Sequence, residues 1–115
     1  TQLLQKDSLD LTDEDRQLIC ATVAESQYER ILITHGTDGM VATAQALGDL
    51  DQKRVVLTGS MKPAAFAETD AIFNIGSAIG ALNAVAPGAY IMMNGCLFTP
   101  NEVFKNYDTK RFENR

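Results

Sequence analysis

The sequence predicts an α/β fold, a three-layer sandwich in which helices cover both faces of a mainly parallel sheet. Two β-branched and leucine runs, Arg30-Ile31-Leu32-Ile33-Thr34 and Val55-Val56-Leu57-Thr58, read as strands buried on both faces, and each breaks into a small polar loop. Segments of helical period stand between the strands, the alternation that builds parallel sheets with right-handed crossovers. At 115 residues, 45% of them hydrophobic and 22% charged, the chain has the proportions of one globular domain. No internal repeat, low-complexity stretch or linker marks a second.

The elements follow in order. Leu3-Leu4 reads as the end of a strand, and the polar stretch Lys6 to Leu11 as the loop after it. Thr12 is a good N-cap, and Asp13, Glu14 and Asp15 set negative charge against the positive end of a helix. That helix has an apolar face of Leu18, Ile19, Val23 and Ala24, with Tyr28 extending it. After the first buried strand, His35-Gly36-Thr37-Asp38-Gly39 hands over to a helix from Met40 to about Leu47, closed by Gly48. After the second strand comes the loop Gly59-Ser60-Met61-Lys62-Pro63. Asp70 or Thr69 then caps a helix running through Ile72, Phe73, Ile75, Ile79 and Leu82. In that helix Asn74, Gly76 and Gly80 read as packing positions. Pro87-Gly88 turn the chain into Ala89-Tyr90-Ile91-Met92-Met93, and Asn94-Gly95 signals a hairpin with Cys96-Leu97-Phe98 as its return strand. Pro100 and Asn101 open one short helical turn. The tail from Lys105 to Arg115 is too polar to form a core by itself.

Composition removes several function classes. Ten Lys and Arg against fifteen Asp and Glu leave a formal net charge of -5, which supplies no basic patch for nucleic acid. No apolar run reaches the roughly 20 residues of a membrane span. His35 is the single histidine, so a multi-histidine zinc site is excluded, and no metal or other cofactor is expected. Cys20 and Cys96 lack ligand spacing; both are expected to be buried thiols, and such thiols favour a reducing cytoplasm. No glycine-rich phosphate loop is present.

In a parallel sheet ligands bind beyond the carboxyl ends of the strands, which places Thr37, Asp38 and the Ser60-Met61-Lys62 loop on the functional edge. A hydroxyl and a carboxylate there, beside free backbone N–H groups, either serve chemistry or only cap the following helix. His35 is either a base or a packing residue. Lys105 is either a solvated surface lysine or a desolvated amine acting on a threonine hydroxyl.

The segment Ile33-Thr34-His35-Gly36-Thr37-Asp38-Gly39-Met40 resembles the second signature of the bacterial-type L-asparaginases. The resemblance continues through Val55 to Pro63, through Asp70-Ala71-Ile72-Phe73-Asn74, and through Gly88 to Asn94 and Phe98 to Asn106, in order from about Lys6 to Phe112. It implies a flavodoxin- or Rossmann-like domain over residues 1–115, of the asparaginase N-terminal type. It also implies hydrolysis of L-asparagine to L-aspartate and ammonia through an acyl-threonine, without a metal. Thr37 is then the second catalytic threonine, Lys105 its basic partner, and Asp38 the acceptor for the substrate α-ammonium. Ser8 binds the α-carboxylate, with Gly36 on the same substrate-binding side. Leu9 stands where many members carry glutamine. The family's first motif, which bears the primary nucleophile on a central strand, matches nothing here, nor does the family's second domain. The natural protein is therefore expected to begin some tens of residues earlier, with the first strand missing from this chain. The expected partners are a small-molecule amide and further copies of the chain in a homo-oligomer. The alternative is a non-catalytic amino-acid-binding or regulatory module. A flavodoxin-like nucleotide or flavin module shares only the architecture.

Overall fold

The computed structural model describes residues 8–61 and 70–115. Leu3-Leu4, Lys62-Pro63 and Thr69 lie outside the described residues. A short 3-10 helix, Ser8–Asp10, leads into α1 (Asp13–Glu25) and β1 (Arg30–Thr34). A 3-10 turn, Thr37–Gly39, runs into α2 (Met40–Leu47), followed by β2 (Arg54–Thr58), α3 (Ala71–Leu82), β3 (Gly88–Met93), β4 (Cys96–Phe98), β5 (Val103–Asn106) and β6 (Arg111–Asn114).

Helix α1 starts where its cap chemistry places it. Thr12 Oγ1 accepts from the Asp15 N–H at 3.2 Å, and the Asp15 carboxylate accepts from the Thr12 N–H at 3.0 Å, a reciprocal capping box built with Asp. Its buried face is narrower than the sequence suggests. Ile19 and Val23 are buried, but Leu18 is exposed, and so is Tyr28, which lies beyond the end of α1.

The main sheet has the order β1-β2-β3-β4, with β1, β2 and β3 parallel and β4 antiparallel. Alternation along the strands sorts side chains to two faces. Val55, Leu57, Ile91 and Met93 pack with Val23, Met40, Ala44 and Leu47 from α1 and α2, while Val56 and Met92 pack with Ala78 and Leu82 of α3. This is the expected α/β sandwich with a mainly parallel sheet. The β3–β4 hairpin turns on Asn94 and Gly95, whose φ values of 54° and 78° are the left-handed pair that a two-residue turn demands.

Several expectations need correction. Strand β1 is not buried on both faces: Ile31, Leu32 and Ile33 are half-buried, and among the described residues β1 has a single neighbour, β2. On α3 the apolar residues Ile72, Phe73 and Ile79 are exposed, because the helix docks through Asn74, Ala78 and Leu82. Among the described residues Gly76 and Gly80 pack against nothing: none lies within 4 Å of where a Cβ would sit on either. Cys96 is exposed rather than buried, being on the outer strand β4, and Cys20 is half-buried. Burial nonetheless pushes the Cys20 thiol up. Pro100 and Asn101 form a turn closed by Glu102 N–H to Thr99 O, not a helix.

The C-terminal segment forms no core of its own but packs on the rest of the domain: it folds as the antiparallel hairpin β5–β6, and Val103 and Phe112 enter the main hydrophobic core. Burying two such side chains contributes about 1.5–3 kcal/mol each, enough to order a hairpin whose other residues face water.

Candidate active site

Three carboxyl ends converge above the sheet. The loop after β1 and the loop after β2 touch so closely that a Cβ on Gly59 would lie 2.2 Å from the His35 carbonyl oxygen. Gly36 meets the 3-10 helix in the same way: a Cβ there would lie 2.6 Å from Ser8 Oγ. Glycine is required at both positions by approach rather than by backbone angle. Buried Ser8 is thereby seated against Gly36, one residue from Thr37.

Helix α3 fastens this edge from below. The Asn74 side chain is fully buried; its amide donates to Gly59 O at 2.8 Å and to Asp70 Oδ2 at 3.1 Å, and its carbonyl oxygen accepts from the Asn94 N–H at 3.0 Å. Asp70 does stand at the head of α3, but its carboxylate makes no cap bond there. It accepts instead from Ser60 Oγ and from the Met61 N–H. One amide thus joins the loop after β2, the start of α3 and the β3–β4 turn.

His35 is spoken for. A carbonyl oxygen only accepts, so the 2.6 Å contact from Nδ1 to Gly36 O places the proton on Nδ1, and Nε2 accepts from Thr43 Oγ1 at 2.8 Å. Burial, partly opposed by the Gly36 bond and helped by the charge of Arg16, holds the imidazole below its usual 6.5. The ring is structural. Because the folded value is depressed, the unfolded chain takes up the proton first, and stability present above pH 6.5 is lost as the pH falls through that window. As the only histidine, His35 should give one imidazole resonance that titrates below 6.5, with the thermal midpoint falling on acidification. A resonance titrating above 6.5 would contradict the burial argument.

The tail hairpin brings the last group. Val103 and Lys105 are two apart and share one face of β5, and Phe112 is the cross-strand partner of Lys105. Burying Val103 and Phe112 therefore delivers the lysine to the loop after β1. Lys105 Nζ donates to Thr37 Oγ1 at 2.8 Å and to Asp38 Oδ1 at 2.6 Å. Tyr107, not singled out from the sequence, donates its hydroxyl to the same Asp38 Oδ1 at 3.0 Å. Lys105 lies 4.8 Å above the Tyr107 ring. The bond from Lys105, aided by Tyr107 and by the lysine's charge, holds the Asp38 carboxyl below the ordinary carboxylate range against its own desolvation. Among the described residues no three His, Cys, Asp or Glu side chains gather as a metal site.

The sequence model of a family described as "Asparaginase, N-terminal" matches residues 1–113. The chain belongs to the asparaginase family. It is 36% identical over 94 residues to an L-asparaginase of Thermococcus kodakarensis, covering 77% of this chain and 29% of that protein. It is 32% identical over 114 residues to a 60 kDa lysophospholipase of Mus musculus, covering 95% of this chain and 19% of the mouse protein. The fold matches a crystal structure described as a probable cytoplasmic L-asparaginase from Campylobacter jejuni, with a TM-score of 0.85 and 27% identity over 96% of this chain and 37% of that one. The chain thus spans about a fifth to a third of these curated relatives.

Within this asparaginase-family domain, the five residues selected from the sequence fall into two touching groups. Thr37, Asp38 and Lys105 are joined by hydrogen bonds, and Ser8 abuts Gly36. Leu9 is exposed on the 3-10 helix. Tyr107 was missed; it lies in the turn just after β5, where no pattern in the sequence marks it.

Proposed function

We propose that this domain carries the proton-transfer and substrate-recognition half of an L-asparaginase-type site, hydrolysing L-asparagine to L-aspartate and ammonia. The contact from Lys105 Nζ to Thr37 Oγ1 carries the reading, because residues 68 apart in sequence meet at 2.8 Å at the carboxyl edge of a parallel sheet. A surface lysine has no reason to be held there.

The chemistry is attack on an amide carbon, release of ammonia, and attack by water on the acyl-enzyme. The primary nucleophile is assigned to a segment upstream of Thr1. Support comes from the half-buried β1, which among the described residues pairs on one side only, and from the much greater length of the relatives. The nucleophile's hydroxyl oxygen adds to the carbonyl carbon as its proton moves away, and the C–N bond breaks as the leaving nitrogen gains a proton. Thr37, seated by Lys105, is the hydroxyl that relays these protons and then orients water. Asp38 accepts the substrate α-ammonium, and Ser8 with Gly36 meets its α-carboxylate. That ammonium and the Lys105 charge meet on one carboxylate, which holds the substrate beside the Thr37 hydroxyl.

A homo-oligomer belongs to the same reading, supported by the uncharged, exposed stripe of Ile72, Phe73 and Ile79 on α3; a single-protomer mass in solution would count against it. A reducing, cytoplasmic setting fits two unpaired thiols, and no helix among the described residues is long and apolar enough to cross a membrane.

Ammonia release from L-asparagine tests the proposal on the 115-residue chain and on the chain extended by its upstream segment. Turnover is expected in the extended form only, and Thr37→Ala should abolish it. Turnover by the 115-residue chain that vanishes in Thr37→Ala would make Thr37 the nucleophile and overturn the upstream assignment. Saturable L-aspartate binding without turnover in either form would replace the enzyme by an amino-acid-binding module.

A further inference from the structure

Asp38 has about four lone-pair directions on its two oxygens. Both observed donors, Lys105 Nζ and the Tyr107 hydroxyl, use Oδ1, and no donor among the described residues reaches Oδ2. Tyr107 is 63% exposed, so its hydroxyl could be satisfied by water and its contact with Asp38 is not forced by burial. Its ring lies against Lys105 at 4.8 Å, so a single side chain touches both members of the ion pair. Lys105 alone would leave the carboxylate free to rotate, or would bridge both oxygens. A second donor on Oδ1 and an aromatic wall beside the ammonium hold Lys105 to one oxygen.

We propose that Tyr107 is a specificity-determining, positioning residue: by fixing Asp38 through Oδ1 it reserves Oδ2 for the α-ammonium of an amino-acid ligand. The inference rests on the reading of Asp38 as the ammonium acceptor. It goes further in making selection for an amino acid, over the same diacid without its amino group, depend on a residue that takes no part in the hydrolysis.

L-aspartate and succinate differ only by the amino group, and both can be titrated calorimetrically into the 115-residue chain and its Tyr107→Phe variant. Phe keeps the ring beside Lys105 and removes only the hydroxyl. Wild type should prefer L-aspartate. The variant should bind L-aspartate about tenfold more weakly, the scale of one hydrogen bond to a charged group, with succinate unchanged. An independent reading comes from ultraviolet titration of the three phenols. Donation to Asp38 pushes the Tyr107 phenol up, so Asp38→Asn should bring that phenol down.

An unchanged aspartate preference in Tyr107→Phe, or equal losses for both ligands, would overturn the inference and leave the site reading standing. A phenol titration that Asp38→Asn leaves unmoved would overturn it without any ligand. If wild type binds neither ligand, the assignment of Asp38 as ammonium acceptor falls, and the inference with it.

Discussion

Replacing Lys105 with methionine in the turnover-competent protein is expected to lower L-asparagine turnover by about 10²–10⁴-fold, the range associated with losing a positioned proton-transfer group. Methionine preserves the length and the apolar stem beside Val103 and Phe112, so the hairpin should stay folded. L-aspartate should still bind, because the variant removes the group that competes with the ligand ammonium for Asp38. The pH dependence of that binding should move in a fixed direction. Lys105 is the main cause of the depressed Asp38 carboxyl, so without it the carboxylate takes up its proton at a higher pH. Aspartate binding by the variant should therefore fail at a less acidic pH than in wild type. The same linkage acts on folding: Asp38 stabilises the native state above its unfolded value near 3.8, and this is lost as the pH falls through the folded value. Wild-type turnover in Lys105→Met, or an unmoved binding profile, would remove the lysine from the assigned role.

The largest loss of stability is expected at Asn74. Alanine would leave Gly59 O and the Asn94 N–H without their side-chain partner and would take a donor from Asp70. Unmaking such a buried set costs about 2–3 kcal/mol, which for a chain of this size lowers the thermal midpoint by roughly 10 °C. Asn74→Asp should be at least as harmful: it keeps an acceptor for Asn94 but turns a second carboxylate toward Asp70 and loses the bond to Gly59. Thermal or urea unfolding of the two variants measures this. A loss below about 0.5 kcal/mol in Asn74→Ala, the scale of an ordinary surface substitution, would show that the three segments are held together by other contacts.

The two effects separate the chemistry of the edge from its scaffold. Lys105 reaches the site because Val103 and Phe112 anchor a hairpin, and the loop it meets abuts, at His35 and Gly59, the loop after β2 that the Asn74 amide holds. A variant at Asn74 should therefore lower stability first and ligand affinity with it, whereas a variant at Lys105 should chiefly change turnover and lose only the ion pair's share of stability, which is present above the unfolded Asp38 value near 3.8 and vanishes on acidification.

Local order was legible in the chain. The Thr12 cap, β1, β2, α2 and the Asn94-Gly95 hairpin depend on contacts within a few residues, and cap chemistry, side-chain period and turn conformation act over that range. The motifs around Thr37 and Asp38 also lie at the carboxyl edge of the sheet, since topology fixes where the carboxyl ends of parallel strands lie.

What local pattern could not decide was which apolar surfaces find a partner. Ile72, Phe73 and Ile79 have the hydropathy of core residues, yet α3 docks through Asn74, Ala78 and Leu82, and Cys96 follows β4 to the outside. Conversely, the polar tail holds only a few apolar side chains, and two residues buried against distant elements were enough to order it. The pairing of Lys105 with Thr37 and Asp38, the addition of Tyr107, and the three-way tie at Asn74 all join segments far apart in sequence. Such contacts depend on packing and on the need of buried polar groups for partners, and those are settled only when the layers close. Sequence determined the elements up to β4 and the family; tertiary structure decided the C-terminal hairpin, which faces were covered and which charges met.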